Sequence, residues 1–293
     1  MIRIITTMML ICLLIGCQKE KTNNNVVATA MDSTKVKAEI VTHIEGRQGA
    51  IFVDDGGTGG TPVLFAHSFA GNTTHWKEQL SLLRKTCRAV AFDFRNHGNS
   101  DSADVDAFST DELAEDIEAV ADSLHLDHFI LVGHSQGGLA SITYAAKHPD
   151  RVKGLVLVGT PGKTPLEQAK KVIESLKSQK YQEVMDQYMT RLLTNASPTT
   201  SAMLTQDVKK IDKERSINII QSMFEYDPLP NLKKYQGPRL IIGTTAEEQQ
   251  PNTLHKLAPE IPYNVIDGTS HWPMMDKPAE FNSMLIDFVS GIK

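Results

Sequence analysis

The chain has 293 residues, a formal net charge of −5, 41% hydrophobic and 22% charged residues. This composition excludes a wholly disordered or collagen-like polymer and allows one large α/β domain or two small ones. The mildly acidic balance, with no long Lys/Arg cluster, argues against an electrostatic nucleic-acid surface, so no nucleic-acid partner is expected. Three cysteines exclude a framework of two or more disulfides.

The N-terminus reads as a targeting segment. Arg3 precedes a mostly apolar run from Ile4 to Ile15. That run is shorter than the ~20 residues a membrane-spanning helix needs, which favours a signal peptide over an anchor helix. It ends in Leu14-Ile15-Gly16-Cys17, which resembles the lipobox of bacterial lipoproteins. The resemblance implies a signal peptide over 1–16, cleavage before Cys17 and acylation of its thiol. Cys12 would leave with the signal, and Cys87 would stay as a free thiol. Residues 17–38 are polar and aperiodic, with an Asn run, and read as a flexible tether. The expectation is a protein of the bacterial cell envelope, periplasmic or at the cell surface, held to the membrane by a lipid anchor.

From about residue 39 the pattern becomes regular. Glu39 to Glu45 and Ala50 to Asp55 alternate apolar and polar residues like antiparallel strands, and Gly56 to Gly60 reads as a turn. Pro62 to Ala66 is a continuous apolar run, as expected of a strand buried on both faces. Ala89 to Phe92, Phe129 to Val132 and Leu155 to Val158 repeat it. Helical stretches lie between. One aligns Trp76, Leu80 and Leu83. A second opens with the capping box Ser109-Thr110-Asp111-Glu112 and aligns Leu113, Ile117, Val120 and Leu124. A third spans about Gly138 to Lys147. The alternation predicts an α/β fold with a doubly wound, mostly parallel sheet.

Residues 163–232 break the alternation with helical patterns only (Val172, Leu176; Val184, Tyr188, Leu192; Ile217, Ile220, Met223). Strands and helices resume at Pro238 to Gly243, Tyr263 to Ile266 and a last helix with Phe281, Leu285 and Phe288. The organisation expected is a core over 39–162 and 233–293 interrupted by a helical cap over 163–232.

The chemistry concentrates at Gly133-His134-Ser135-Gln136-Gly137, a G-x-S-x-G string between a buried strand and a helix. A nucleophile on a sharp strand-to-helix turn has strained backbone angles and needs small residues two positions away on either side. Ser135 is therefore the candidate nucleophile. It needs a base, and His271, in Asp267-Gly268-Thr269-Ser270-His271-Trp272-Pro273, follows the last strand at the same sheet edge. The remaining histidines read as solvated or structural, and His134 is expected to pack inward. No His-x-His or His-Glu-x-x-His spacing occurs, so no metal is expected. The oxyanion of a tetrahedral intermediate needs donors. The backbone N–H of Gln136 opens the helix, and that of Phe69 lies in the loop after the first buried strand.

Taken in order, AHSFAGNTTHW, FDFRNHGNSD, GHSQGG, HPDRVKGLVLVGTPG and GTSHWPMMDKPAEF resemble the α/β-hydrolase fold family, in its lidded serine-hydrolase branch, over about residues 39–293. Two departures add side chains near the pocket floor or its adjacent loop: Ser68 and Asn96 stand where glycine is usual. A third concerns the acid that orients the histidine. The family usually has an Asp after the strand matching PRLIIG, but this chain reads Gly243-Thr244-Thr245-Ala246-Glu247-Glu248-Gln249-Gln250-Pro251. Asp93 matches a structural position. Glu247 is the candidate, with Glu248 and Asp227 as alternatives.

The expected activity is hydrolysis of a carboxylic ester through an acyl-enzyme, on a small ester or lactone, with no cofactor. A lactonase or a carbon–carbon bond hydrolase on the same triad, and a non-catalytic ligand-binding protein of this fold, are the alternatives. An epoxide hydrolase or dehalogenase is disfavoured because the nucleophile in those relatives is Asp. The sequence carries no signal of substrate identity or oligomeric state.

Overall fold

The computed structural model describes residues 40–104 and 107–292. The expected signal segment over 1–16, the expected acylation site Cys17 and the expected tether over 17–38 lie outside them. The described strands form one eight-stranded sheet in the order β1-β2-β4-β3-β5-β6-β7-β8. β1 (Ile40–Gly46), β2 (Gly49–Gly56) and β4 (Ala89–Phe92) pair antiparallel in sequence. From β4 onward every pairing is parallel, through β3 (Val63–Ala66), β5 (Phe129–His134), β6 (Val152–Val158), β7 (Arg239–Thr244) and β8 (Tyr263–Ile266). The order reverses between β4, β3 and β5. At such a point successive crossovers leave to opposite faces and open a crevice at the strands' C-terminal ends.

β3, β4 and β5 are buried along their whole lengths, which accounts for their unbroken apolar runs. Two of the runs pair further than their apolar residues indicate. β5 continues through Gly133 and His134, and β6 begins at Val152, because ladder pairing is a backbone property that glycine and histidine satisfy too. Helix α1 (Lys77–Leu83) follows a single 3-10 turn at Thr73–Trp76. Helix α2 (Thr110–Ser123) starts at Ser109, whose side chain accepts from the Glu112 N–H while the Glu112 carboxylate accepts from the Ser109 N–H. Leu113, Ile117 and Val120 are fully buried, each contributing about 1.5–3 kcal/mol relative to exposure. Helix α3 (Gln136–Lys147) begins two residues before the Gly138 expected from sequence, directly after Ser135.

Between β6 and β7 the chain is helical: α4 (Leu166–Lys177), α5 (Tyr181–Leu192), α6 (Pro198–Asp207) and α7 (Lys213–Glu225), then a single turn at Leu229–Leu232. Their apolar stripes pack over the loops at the strands' C-terminal ends. Phe69 and Ala70 join Leu176, Met185, Ile220 and Met223 in one cluster. A buried polar contact also ties this segment to the core. Asp207 at the end of α6 accepts from Asn72 Nδ2 at 3.1 Å, His75 Nε2 at 3.1 Å and Lys210 Nζ at 2.7 Å. The final helix, Pro278–Gly291, buries Phe281 and Leu285 against the other face of the sheet.

Candidate active site

Ser135 sits between β5 and α3 with φ 52° and ψ −114°, a region that costs a non-glycine residue about 1–3 kcal/mol. The surroundings hold it there. The Ser135 N–H donates to the Val158 carbonyl at 2.8 Å, and its own carbonyl accepts from Gly138 N–H at 2.9 Å. The glycines around it are needed for close approach. A Cβ at Gly137 would run into the His67 and Ala66 carbonyls, and one at Gly133 into Ser141 Oγ and the Gly137 carbonyl.

His271 follows β8 and presents Nδ1 to Glu247 Oε1 at 2.7 Å. A carboxylate only accepts, so Nδ1 carries the proton and Nε2 keeps a lone pair. Glu247 is fixed in turn: Oε2 accepts from the Thr244 N–H at 3.0 Å. The stretch after β7 is a single helical turn at Thr245–Glu248, with Glu247 reaching back over its start. The other two candidate acids are elsewhere. Glu248 is exposed, and Asp227 is engaged by Lys163 Nζ at 2.8 Å and the Leu229 N–H at 3.1 Å. Gly159, just after β6, makes room for the pair. At φ 51° it lies so close that a Cβ would come within 2.9 Å of both Glu247 Oε1 and His271 Cε1.

The backbone of His271 is held from two sides. Its N–H donates to the Leu192 carbonyl at the end of α5 at 2.9 Å, and its carbonyl accepts from His134 Nε2 at 2.8 Å. His134 does pack inward, yet its ring lies 4.9 Å from that of His271. Burial, then the neighbouring His271, hold its pKa well below the usual imidazole range, so it is a neutral donor. Sequence pointed to neither the Leu192 carbonyl nor this bond. The one available signal was a histidine inside the nucleophile string.

The loop after β3 is equally constrained. His67 Nε2 accepts the Phe94 N–H at 2.9 Å, so Nδ1 carries the proton it gives to the Ser68 carbonyl at 2.7 Å. That carbonyl also accepts from Gly71 N–H at 2.9 Å. In a planar trans peptide the N–H points opposite the carbonyl, so fixing Ser68 C=O aims the Phe69 N–H away from His67. Neither the Phe69 nor the Gln136 backbone N–H makes a hydrogen bond to another described residue. Of the two departures from the expected glycines, Ser68 turns its hydroxyl onto the Phe69 carbonyl at 3.2 Å. Asn96 has φ 60°, a conformation asparagine tolerates better than most residues, and its Oδ1 accepts the Ala103 N–H at 2.9 Å. Asp93 is buried and accepts from the Thr73 and Asn99 N–H groups at 2.6 and 2.8 Å. Burial raises its pKa to about 6.

A cavity of about 280 Å³ contains Ser135, His271 and Glu247 in its lining. Tyr188, Leu192, Met223 and Phe224 of the helical segment wall it, and Arg191 and Lys163 bring positive charge. Ser135 and His271 make no direct hydrogen bond; contacts of this kind commonly tighten only with substrate. The arrangement offers a strained hydroxyl at a helix start, an oriented imidazole and two free backbone donors on the nucleophile's loops, the parts that acyl transfer requires.

Comparison with known proteins places this geometry among relatives. A family model described as alpha/beta hydrolase fold matches residues 61–278. The sn-1-specific diacylglycerol lipase ABHD11 of Danio rerio is 27% identical over 269 residues, covering 81% of this chain and 81% of the relative. Among solved structures, the enol-lactonase from Burkholderia xenovorans LB400 superposes with a TM-score of 0.74 at 21% identity, covering 85% of this chain and 100% of that one. The esterase EaEST from Exiguobacterium antarcticum gives 0.73 at 20% identity, covering 86% and 100%.

Proposed function

Because the chain belongs to the alpha/beta hydrolase fold family, we propose that it is a serine hydrolase of carboxylic esters. The observation that carries this reading is the 2.7 Å contact of Glu247 with His271 beside the strained Ser135 in one cavity. Ser135 Oγ attacks the acyl carbon and its proton passes to His271 Nε2. Glu247 stabilises the imidazolium that forms. The N–H groups of Phe69 and Gln136 hold the oxyanion. His271 then protonates the departing alcohol, and water repeats the sequence to release the acid. Residues 163–232 act as a cap that shapes the pocket and excludes water. A lactone is an internal ester open to the same steps, and the likeness to an enol-lactonase supports including lactones among the substrates.

The test is turnover of short-chain 4-nitrophenyl esters and simple lactones, with a serine-reactive phosphonate to mark the nucleophile. Ser135→Ala should lower ester kcat by about 10⁶ if the triad acts as a unit, with unchanged circular dichroism. A folded Ser135→Ala protein that keeps near-wild-type turnover would sink the mechanism. Wild-type protein that binds esters without cleaving them would favour the non-catalytic reading.

The Leu14-Ile15-Gly16-Cys17 string supports a second part of the proposal, a lipid anchor at Cys17 in the bacterial cell envelope. Stable anchoring takes two acyl chains or more, since one is marginal. Cys17→Ser should release the protein from membranes or leave the precursor uncut. Identical membrane fractionation of variant and wild type, with no lipid label on either, would exclude the anchor.

A further inference from the structure

Arg191 stands apart from the other described arginines. Each of the others gives its guanidinium to a carboxylate or, for Arg239, to the Leu232 carbonyl. Arg191 has no such acceptor among the described residues. Its guanidinium lies over the Tyr188 ring, 5.5 Å from the centroid, and both residues line the cavity that holds Ser135 and His271. The backbone shows how near the chemistry this cation is rooted. The neighbouring Leu192 carbonyl is the atom that accepts the His271 N–H at 2.9 Å.

The other charges around the cavity are already committed. Lys163 is paired with Asp227 at 2.8 Å, and Glu247 is bonded to His271. Glu183 and Asp186 border an adjoining groove along α5 that Arg191 also touches, but neither forms an ion pair with it. Among the described residues that line the cavity, Arg191 is therefore the cation whose guanidinium has no carboxylate or carbonyl acceptor, beside apolar walls of Leu192, Met223 and Phe224. Arg191 is exposed, so its attraction for an anion is that of a solvent-screened charge. The planar guanidinium fork matches the two oxygens of a carboxylate.

We propose that Arg191 is a subsite for a carboxylate on the substrate, so that the preferred esters bear an acidic group beyond the scissile carbonyl. This rests on the serine-hydrolase reading above and narrows its substrate class. The cavity of about 280 Å³ restricts the spacer to a short chain.

The experiment compares two 4-nitrophenyl esters of equal chain length, the hexanoate and the monoadipate, which differ in a terminal methyl against a terminal carboxylate. Spontaneous hydrolysis is subtracted from both. The wild-type kcat/KM ratio of adipate to hexanoate should be about ten or more, the scale of one charge-assisted contact. It should decline as salt is raised. Arg191→Gln should bring the ratio to about one, and Arg191→Glu should invert it. Any loss from misfolding affects both esters and cancels in the ratio. A ratio near one in the wild type, or one that both variants leave unchanged, overturns the subsite while the hydrolase reading stands. Wild-type failure on both esters overturns the hydrolase reading and the subsite together.

Discussion

At the residue scale the distinctive feature is a glutamate, Glu247, bonded to His271 Nδ1, which the proposed function makes the acid of the triad. The glutamate side chain lets Glu247 lie on a helical turn, bond the Thr244 N–H with one oxygen and still reach His271 Nδ1 with the other. Gly159 leaves the space this requires. Glu247→Gln should therefore cost about 10⁴ in kcat, the scale of losing a triad acid. Glu248→Gln and Asp227→Asn should change kcat little, since one side chain is exposed and the other is held by Lys163. The three variants measured side by side on one ester decide the matter. A silent Glu247→Gln beside a crippled Glu248 or Asp227 variant would move the acid elsewhere. His134 adds a second check: on the proposed mechanism, a neutral donor to the His271 carbonyl sets the alignment of the base, and misplacement by about 1 Å can cost 10²-fold. His134→Leu should lower kcat by up to about that factor with KM near the wild-type value, and an equal rise in KM would contradict this role.

At the element scale, the helical segment and the core meet at His271 and at Asp207. The end of α5 supplies the carbonyl bonded to His271, and α6 ends on Asp207, which Asn72, His75 and Lys210 hold. Burial alone would raise the Asp207 pKa, but the bonds from His75 and Lys210 outweigh it and leave it below the usual carboxylate range. A carboxylate with a depressed folded pKa contributes stability above its unfolded pKa of about 3.9. That contribution is lost as pH falls through the lower folded value. Asp207→Asn should thus lower stability near neutral pH by about 1–3 kcal/mol and flatten the acid side of a Tm-against-pH profile. An unchanged profile would show that this contact does not hold the segment. Within the same segment, Met223→Ala and Phe224→Ala should shift preference among esters more than Tm, because both residues line the cavity. Uniform loss on every ester, tracking unfolding, would make them ordinary core.

At the scale of the whole molecule, the mostly parallel sheet gathers the ends of β5, β6, β7 and β8 at one edge, which is why Ser135, Gly159, Glu247 and His271 meet in one cavity. The opposite consideration applies to Cys87, which is buried between α1 and β4 with its thiol pKa raised by burial. Alkylation mapped at Cys87 should be negligible in the folded protein and complete in denaturant. Rapid labelling under native conditions would reveal local opening there.

The sequence by itself determined the strand and helix alternation, the strained turn at Ser135 and the segment from 163 to 232 that carries helices only. These follow from local steric and hydrophobic patterns, which need no knowledge of distant residues. The same holds for the G-x-S-x-G spacing, since the close approaches at Gly133 and Gly137 arise within one turn and its neighbours. Tertiary structure alone decided which carboxylate faces His271, because Glu247 and Glu248 are equivalent in composition and differ only in direction around a helical turn. It also decided the partners of the His271 backbone. The Leu192 carbonyl and His134 Nε2 are 79 and 137 residues away along the chain, and a carbonyl bears no side-chain signature. Arg191 is one arginine among several in the sequence. Only the folded arrangement, which pairs the others and leaves this guanidinium beside the cavity, sets it apart.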